Sequence, residues 1–254
     1  MALTVVDCNL WYHLRAGGLV TEKPRVLEFG QANWYGDVDP ELIAADIDKY
    51  ADPLEALDLH ALLREAIDAK DLFGIARAFY RALLRPSEVV AVDLHGPDAL
   101  ALDLNTPLAL PSYGFDVLVN SGTLEHVFDQ RQAWESAHDH VRPGGLMVHA
   151  LPLWGWLGHG FVNYHPTFVA DVAAVNDYEV LLWWFAEFGT RHVVNVEKPE
   201  DFGEIAERFG TRLSSMMHVV YRKPPDARAF VVPMQGYYAG RLSAEQRKKW
   251  RDER

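Results

Sequence analysis

Apolar and polar positions along the chain switch between two periods. Short apolar runs of strand length stand at residues 25–30, 89–93, 99–104, 115–120, 146–151, 178–185 and 215–222. Glycine, proline or acidic residues close most of them, which favours strands over helix fragments. Between the runs, apolar positions recur at helical spacing, as with Leu59, Leu62, Leu63, Ile67, Ile75, Phe79 and Leu83. Further helices are predicted over 129–140, 166–176 and 199–209. Arg142-Pro143-Gly144-Gly145 has the chemistry of a sharp turn into the fifth run. Ser243-Ala244-Glu245-Gln246 has the form of a capping box and predicts a helix within 241–254.

This alternation predicts an α/β fold, doubly wound around a mostly parallel seven-stranded sheet with an antiparallel late strand. No repeat, low-complexity tract or composition shift divides the chain, so 1–254 reads as a single domain. Residues 1–24 form an N-terminal extension packed beside the first strand, with a turn at Gly17-Gly18. Residues 39–85 exceed what a crossover between parallel strands needs. They are expected to form two or three helices, broken at Gly74 or before it. Their expected role is a lid or substrate wall, with an oligomer contact, and hence a homodimer, as the other reading.

Strand ends carry the first chemical signal. The run 25–30 ends in Glu28-Phe29-Gly30, the run 89–93 ends in Asp93, and Asp103 lies in the third. Two apolar strands that each end in an acid are how an open sheet builds an adenosine pocket. Glycine lets the backbone approach a ligand, and the second acid accepts hydrogen bonds from ribose hydroxyls.

Composition narrows the partners. With 254 residues, 49% apolar, the chain can bury a full α/β core. A net charge of −12 argues against nucleic acid and anionic membrane surfaces, which require a basic footprint. The basic tail Arg247-Lys248-Lys249 reads as a solvated helix face. One cysteine, Cys8, excludes an intrachain disulfide. With no apolar stretch of signal or membrane length, a cytoplasmic protein is expected.

Two runs carry a resemblance. Phe115-Asp116-Val117-Leu118-Val119-Asn120-Ser121-Gly122-Thr123-Leu124-Glu125-His126-Val127 looks like the fourth-strand motif of class I S-adenosylmethionine-dependent methyltransferases, with its trailing Glu-His pair. Val141-Arg142-Pro143-Gly144-Gly145-Leu146 looks like that family's turn before the fifth strand. The glycine-rich signature stands as Glu28-Phe29-Gly30-Gln31-Ala32-Asn33-Trp34, keeping only the first of three glycines. The resemblance covers roughly Val26 to Tyr178.

It implies S-adenosyl-L-methionine as cofactor and a small-molecule acceptor. Glu28, Gly30 and Gln31 would shape the loop under the methionine part. Asp93 would bind the ribose hydroxyls with Leu94 beside the adenine, Asp103 would take the adenine amino group, and Leu104 would add a backbone contact. Asn120, Ser121 and Gly122 would flank the methionyl end. The segment His159 to Pro166 resembles a substrate-side loop, so Trp154, Trp156 and Asn163 are candidate acceptor walls.

A hydroxyl or protonated amine acceptor must lose a proton. The candidate bases are His159 and His165 first, then His126 and Tyr164, with His149 a further histidine of the same rim. No metal site is expected. His138 and His140 lie two apart on a helix and diverge, and no helical His-x-x-x-His or cysteine cluster supports the others. Two rival readings remain open: a nicotinamide-dependent oxidoreductase, whose phosphate-cradling glycines are lacking here, and a non-catalytic methyltransferase-like binding protein.

Overall fold

Side chains on the central strands alternate between two apolar cores, one on each face of a sheet. The computed structural model describes residues 2–252; Met1 and residues 253–254 of the two predicted terminal segments lie outside the described residues. In chain order the elements are β1 (Ala2–Leu3), α1 (Val5–Ala16), β2 (Arg25–Phe29), β3 (Asn33–Trp34), α2 (Leu42–Tyr50), α3 (Pro53–Ala69), α4 (Leu72–Leu84), β4 (Glu88–Val92), β5 (Phe115–Ser121), α5 (Gln130–His140), β6 (Val141–Pro152), α6 (Pro166–Val175), β7 (Glu179–Glu187), β8 (Val193–Asn195), α7 (Asp201–Phe209), β9 (Ser215–Arg222) and α8 (Ala244–Asp252).

The main sheet has the order β4-β2-β5-β6-β9-β7-β8. Strands β4, β2, β5 and β6 run parallel. Strand β9 lies antiparallel between β6 and β7, and β8 antiparallel beside β7. Leu27, Phe29, Leu118, Met147 and Val219 pack on the face that carries α5 to α7. Val26, Val117, Val119, Val148 and Val220 pack on the face that carries α1 and α4. Each such side chain, fully buried, stabilises the fold by about 1.5–3 kcal/mol, so this period-2 division fixes which way every strand faces.

The sheet has the predicted seven strands, but not the same seven. The run 99–104 touches β4 only through a single parallel bridge, Val92 to Leu100. Leu102 N–H then bonds to Leu100 O at 2.8 Å, a tight turn that takes the chain off the edge. Asp93 and Asp103 each accept from amides two residues on, His95 and Asn105, which is turn chemistry rather than ladder chemistry. The seventh place belongs to β8, a three-residue strand with no sequence signal of its own.

The N-terminal extension is more structured than expected. Thr4 caps α1 in a capping box with Asp7, a pattern readable in the sequence as Thr-x-x-Asp. Strand β1 pairs in parallel with β3, and Ala2 and Thr4 line the same cavity as Ser121 and Gly122 at the end of β5.

Residues 39–85 form three helices, and the break before α4 falls at Lys70, in the left-handed region at φ 54°. Gly74 lies inside α4, where a Cβ would stand 2.9 Å from Ala66 Cβ. Its role is close packing of α3 on α4, not a break. Helix α4 is itself the crossover packed on the sheet, burying Ile75, Ala76, Phe79 and Leu83. Helices α2 and α3 pack on it from outside.

Candidate functional site

The site is built by three backbone devices at the C-terminal rim of β5 and β6. Buried Asn120 turns its Oδ1 onto the N–H groups of Thr123 and Leu124, both at 3.1 Å, and starts a short 3-10 turn over Leu124–His126. Gly122, at φ 82°, lets β5 enter that turn. The turn carries Glu125 and His126 back over the strand end. The loop after β6 is then tied to Glu125, whose carbonyl accepts from Phe161 N–H at 2.7 Å and Val162 N–H at 3.2 Å. Gly160 makes this approach possible: its φ is 73°, and a Cβ would lie 2.8 Å from the Glu125 oxygen.

His159 is thereby held over Glu125, its Nε2 3.7 Å from Glu125 Oε1, while His126 Nε2 stands 4.0 Å from the same oxygen. The two imidazoles meet edge to face with centroids 4.8 Å apart. Trp156 packs on His159 and anchors its indole N–H on Ser215 O at 2.7 Å.

These groups line a cavity of about 420 Å³, within the range of small-molecule sites. Its other walls include Thr4 and Asp7 of the N-terminal segment, Ser121 and Gly122 of the β5 end, and His218 of β9. His218 Nε2 meets Asp7 Oδ1 at 3.3 Å in a buried pair. Burial opposes charge on Asp7, yet bonding to His218 and Thr4 keeps its carboxyl below the ordinary value. Burial pushes Glu125 up to about 7. Burial, then the neighbouring His159, lowers His126.

The β2–β4 rim is a contrasting surface. Asp93 Oδ2 accepts from Gln31 N–H at 2.8 Å, and Oδ1 accepts from His95 and Gly96 N–H at 2.8 and 3.2 Å. Burial opposes these bonds, but together they hold Asp93 below the ordinary carboxylate value. Gln31 lies across Gly96, its Oε1 accepting from Asp98 N–H at 3.0 Å and its Nε2 reaching Asp98 Oδ2. Arg77 pairs with the same carboxylate. Gly30, at φ 81°, sends its N–H to Val92 O at 2.8 Å. Glu28 is buried, accepts from Ala32 N–H, and is pushed up to about 7 by burial.

The predicted site residues therefore divide. Ser121, Gly122, His126, Trp156 and His159 share the cavity. Glu28, Gly30, Gln31 and Asp93 hold the β2–β4 rim together. Leu94 is exposed, Asp103 spends its carboxylate on Asn105, and Leu104 is core. His165 is the N-cap of α6, with Nδ1 accepting from Thr167 N–H. Tyr164 is buried with its hydroxyl on Gln130, and Trp154 packs on Phe185 and Phe202. Asn163 is exposed and outside the cavity lining. His149 is buried against Trp134 and pushed down to about 3 by burial. None of residues 39–85 lines this cavity, which the N-terminal segment flanks instead. Phe73, Arg77 and Tyr80 of α4 wall a second cavity, of about 350 Å³, with Glu28 and Gln31.

The sequence reading missed Glu125 as a site group, and Asp7 and His218 altogether. Glu125 was visible beside His126. Alternation along β9 puts His218 on the same face as Val220, a polar residue among apolar ones. Nothing local in the sequence announces its pairing with Asp7.

No family model and no curated protein matches the chain. Among solved structures it is similar to the [4+2]-cyclase SpnF, at 14% identity and TM-score 0.45, over 86% of this chain and 82% of that one. It is also similar to an S-adenosylmethionine-dependent methyltransferase from Mesorhizobium loti, at 17% identity and TM-score 0.43, over 84% and 97%. A third is the N-methyltransferase NodS from Bradyrhizobium japonicum WM9 in complex with S-adenosylhomocysteine, at 11% and 0.42, over 87% and 89%. The strand order β4-β2-β5-β6-β9-β7, with β9 alone reversed among these six, is a Rossmann-like, mostly parallel sheet, as the alternation of elements in the sequence predicts.

Proposed function

We propose that the chain moves a methyl group from S-adenosylmethionine to a small-molecule acceptor held in the cavity at the β5–β6–β9 rim. One observation carries this reading: the fourth-strand motif delivers Ser121, Gly122, Glu125 and His126 to a single open cavity. Open parallel sheets bind ligands at this end of their strands.

The chain's residues fit the cofactor in part as they stand. Ser121 and Gly122 would flank its methionyl end. Asp93 is half-exposed, and Oδ2 takes a single amide, which leaves a lone pair for a ribose hydroxyl. Seating the nucleoside further requires the Gln31 side chain to leave Asp98. When bound, the sulfonium supplies an already activated methyl group, so the protein's share is alignment and exclusion of water. Trp156 offers an apolar wall for the acceptor. His159, steadied by Glu125 and Trp156, is the group that would take a proton from it. The acidic balance and the single buried Cys8 support a cytoplasmic enzyme acting on small molecules.

A screen for transfer of a labelled methyl group across a metabolite library tests the reading. The expected result is an acceptor whose kcat falls about 10²–10⁴-fold in His159→Ala with S-adenosylhomocysteine affinity unchanged. Cofactor binding without transfer to any acceptor would overturn it. That outcome would favour the second reading, a binding protein on the same fold, which the three amides already bonded to Asp93 support.

A further inference from the structure

We propose that Glu125, His126 and His159 form a binding site for a divalent first-row metal ion in the cavity wall. One ligand atom from each lies within 4.8 Å of the others. The three groups converge without bonding to one another: the Glu125 oxygen is 3.7 and 4.0 Å from the two imidazole nitrogens, too long for hydrogen bonds. A second observation points to a missing partner. Glu125 is 1% exposed, and its Oε2 is buried with no hydrogen-bond partner. A buried carboxylate oxygen without a partner is destabilising, and a cation between the three groups supplies the partner.

The donor set selects the ligand class. Two imidazoles and a carboxylate that leave positions open are the ligands of catalytic zinc and of mononuclear iron sites. Bonds of roughly 2.0–2.2 Å put neighbouring ligand atoms about 3.0–3.5 Å apart, so closing on the ion takes movements of about 1 Å. Both histidine side chains are nearly half-exposed, at 49% and 46%, and are free to make them. Glu125 is the fixed member, tied through its own carbonyl to the loop that carries His159. The open coordination positions face the cavity, where an acceptor oxygen or water would complete the shell. With the ion bound, an acceptor hydroxyl on it would lose its proton more readily, and His159 would act as ligand; only without the ion is its nitrogen free to take that proton.

The geometry is independent of methyl transfer, and the test uses the metal alone. Zn2+ is titrated calorimetrically into the full-length protein, and Co2+ is followed by its visible d–d absorption. The expected result is a single saturable site with a low-coordinate cobalt spectrum. Glu125→Gln, His126→Ala and His159→Ala should each weaken binding by at least about 10-fold, and His165→Ala should leave it unchanged. Replacing the two half-exposed histidines should leave the near-ultraviolet dichroism intact, which separates lost ligands from lost fold. Absence of saturable binding, or binding that survives in His126→Ala/His159→Ala, overturns the proposal. A chain that binds the metal but no S-adenosylhomocysteine keeps this inference and loses the reading above, and the converse result loses this inference alone.

Discussion

Two stretches of one sheet rim, built from similar sequence signals, end in opposite states. At the β2–β4 rim, acids and a glutamine are consumed by the chain itself: Asp93 takes three amides, Gln31 bridges to Asp98, and Glu28 holds Ala32. At the β5–β6–β9 rim, equally buried polar groups face a cavity with bonds still to make. Glu125 Oε2 and His218 Nδ1 are both buried without partners. Native interiors satisfy nearly all such groups, so two of them in one cavity wall mark this rim for a ligand. On the other side a buried Tyr80 hydroxyl is also unpartnered, in a second cavity of about 350 Å³ beside Glu28 and Gln31. An acid at a strand end thus carries two meanings, and only its partners tell them apart.

The largest effect expected at the closed rim concerns pH. Glu28 is raised from an ordinary value of 4.5 to about 7 by burial. Below pH 4.5 it is protonated in both folded and unfolded chains and costs nothing. As pH rises through 7, the unfolded chain gains by ionising first, so native stability falls by about 3 kcal/mol over this window. Urea unfolding of the wild type and Glu28→Gln at pH 4.5 and pH 8 should show a decline smaller by about 3 kcal/mol in the variant, the part that remains including the share of Glu125, which burial raises to the same value.

Asp93→Ala comes next. Three amides lose their acceptor, but the site is half-exposed and water replaces part of the bonding. A loss of about 2 kcal/mol, or roughly 4–8 °C in Tm, is expected by calorimetry. An unchanged Tm would mean that the three amide bonds to Asp93 do not hold the β2–β4 rim together, which would erase the contrast between the rims.

At the open rim, Gly160→Ala forces a side chain into φ 73° against the Glu125 carbonyl. A cost of about 1–2 kcal/mol is expected, together with weakened Co2+ binding as the His159 loop lifts. The smallest effect is His165→Ala, which removes an N-cap bond from α6 and should cost about 0.5 kcal/mol with no change in any ligand affinity.

Much of the fold was legible because it rests on local pattern. Runs such as 115–120 and 215–222 become β5 and β9 nearly residue for residue, since burial on both faces leaves no other register. The run 99–104 has the same apolar look, yet its neighbours decide otherwise: Asp93 and Asp103 favour turns, and the edge of β4 gives it one partner residue. The site was half legible. Residues on the fourth-strand motif arrived where their spacing put them. His165 and Tyr164 sit as close in sequence to His159 but face away, one capping a helix and the other bonding Gln130. The contact of Asp7 with His218 joins opposite ends of the chain, and no window of sequence contains it.

The central claim is that this rim, with Asp93 and Gln31 at its flank, receives the nucleoside of a sulfonium cofactor. Calorimetric titration of S-adenosylhomocysteine into the wild type and Gln31→Ala tests it most directly. Saturable single-site binding that tightens by about 5-fold when Gln31 no longer bridges Asp98, equivalent to about 1 kcal/mol, is the predicted result. No heat of binding in either protein at millimolar ligand would contradict it.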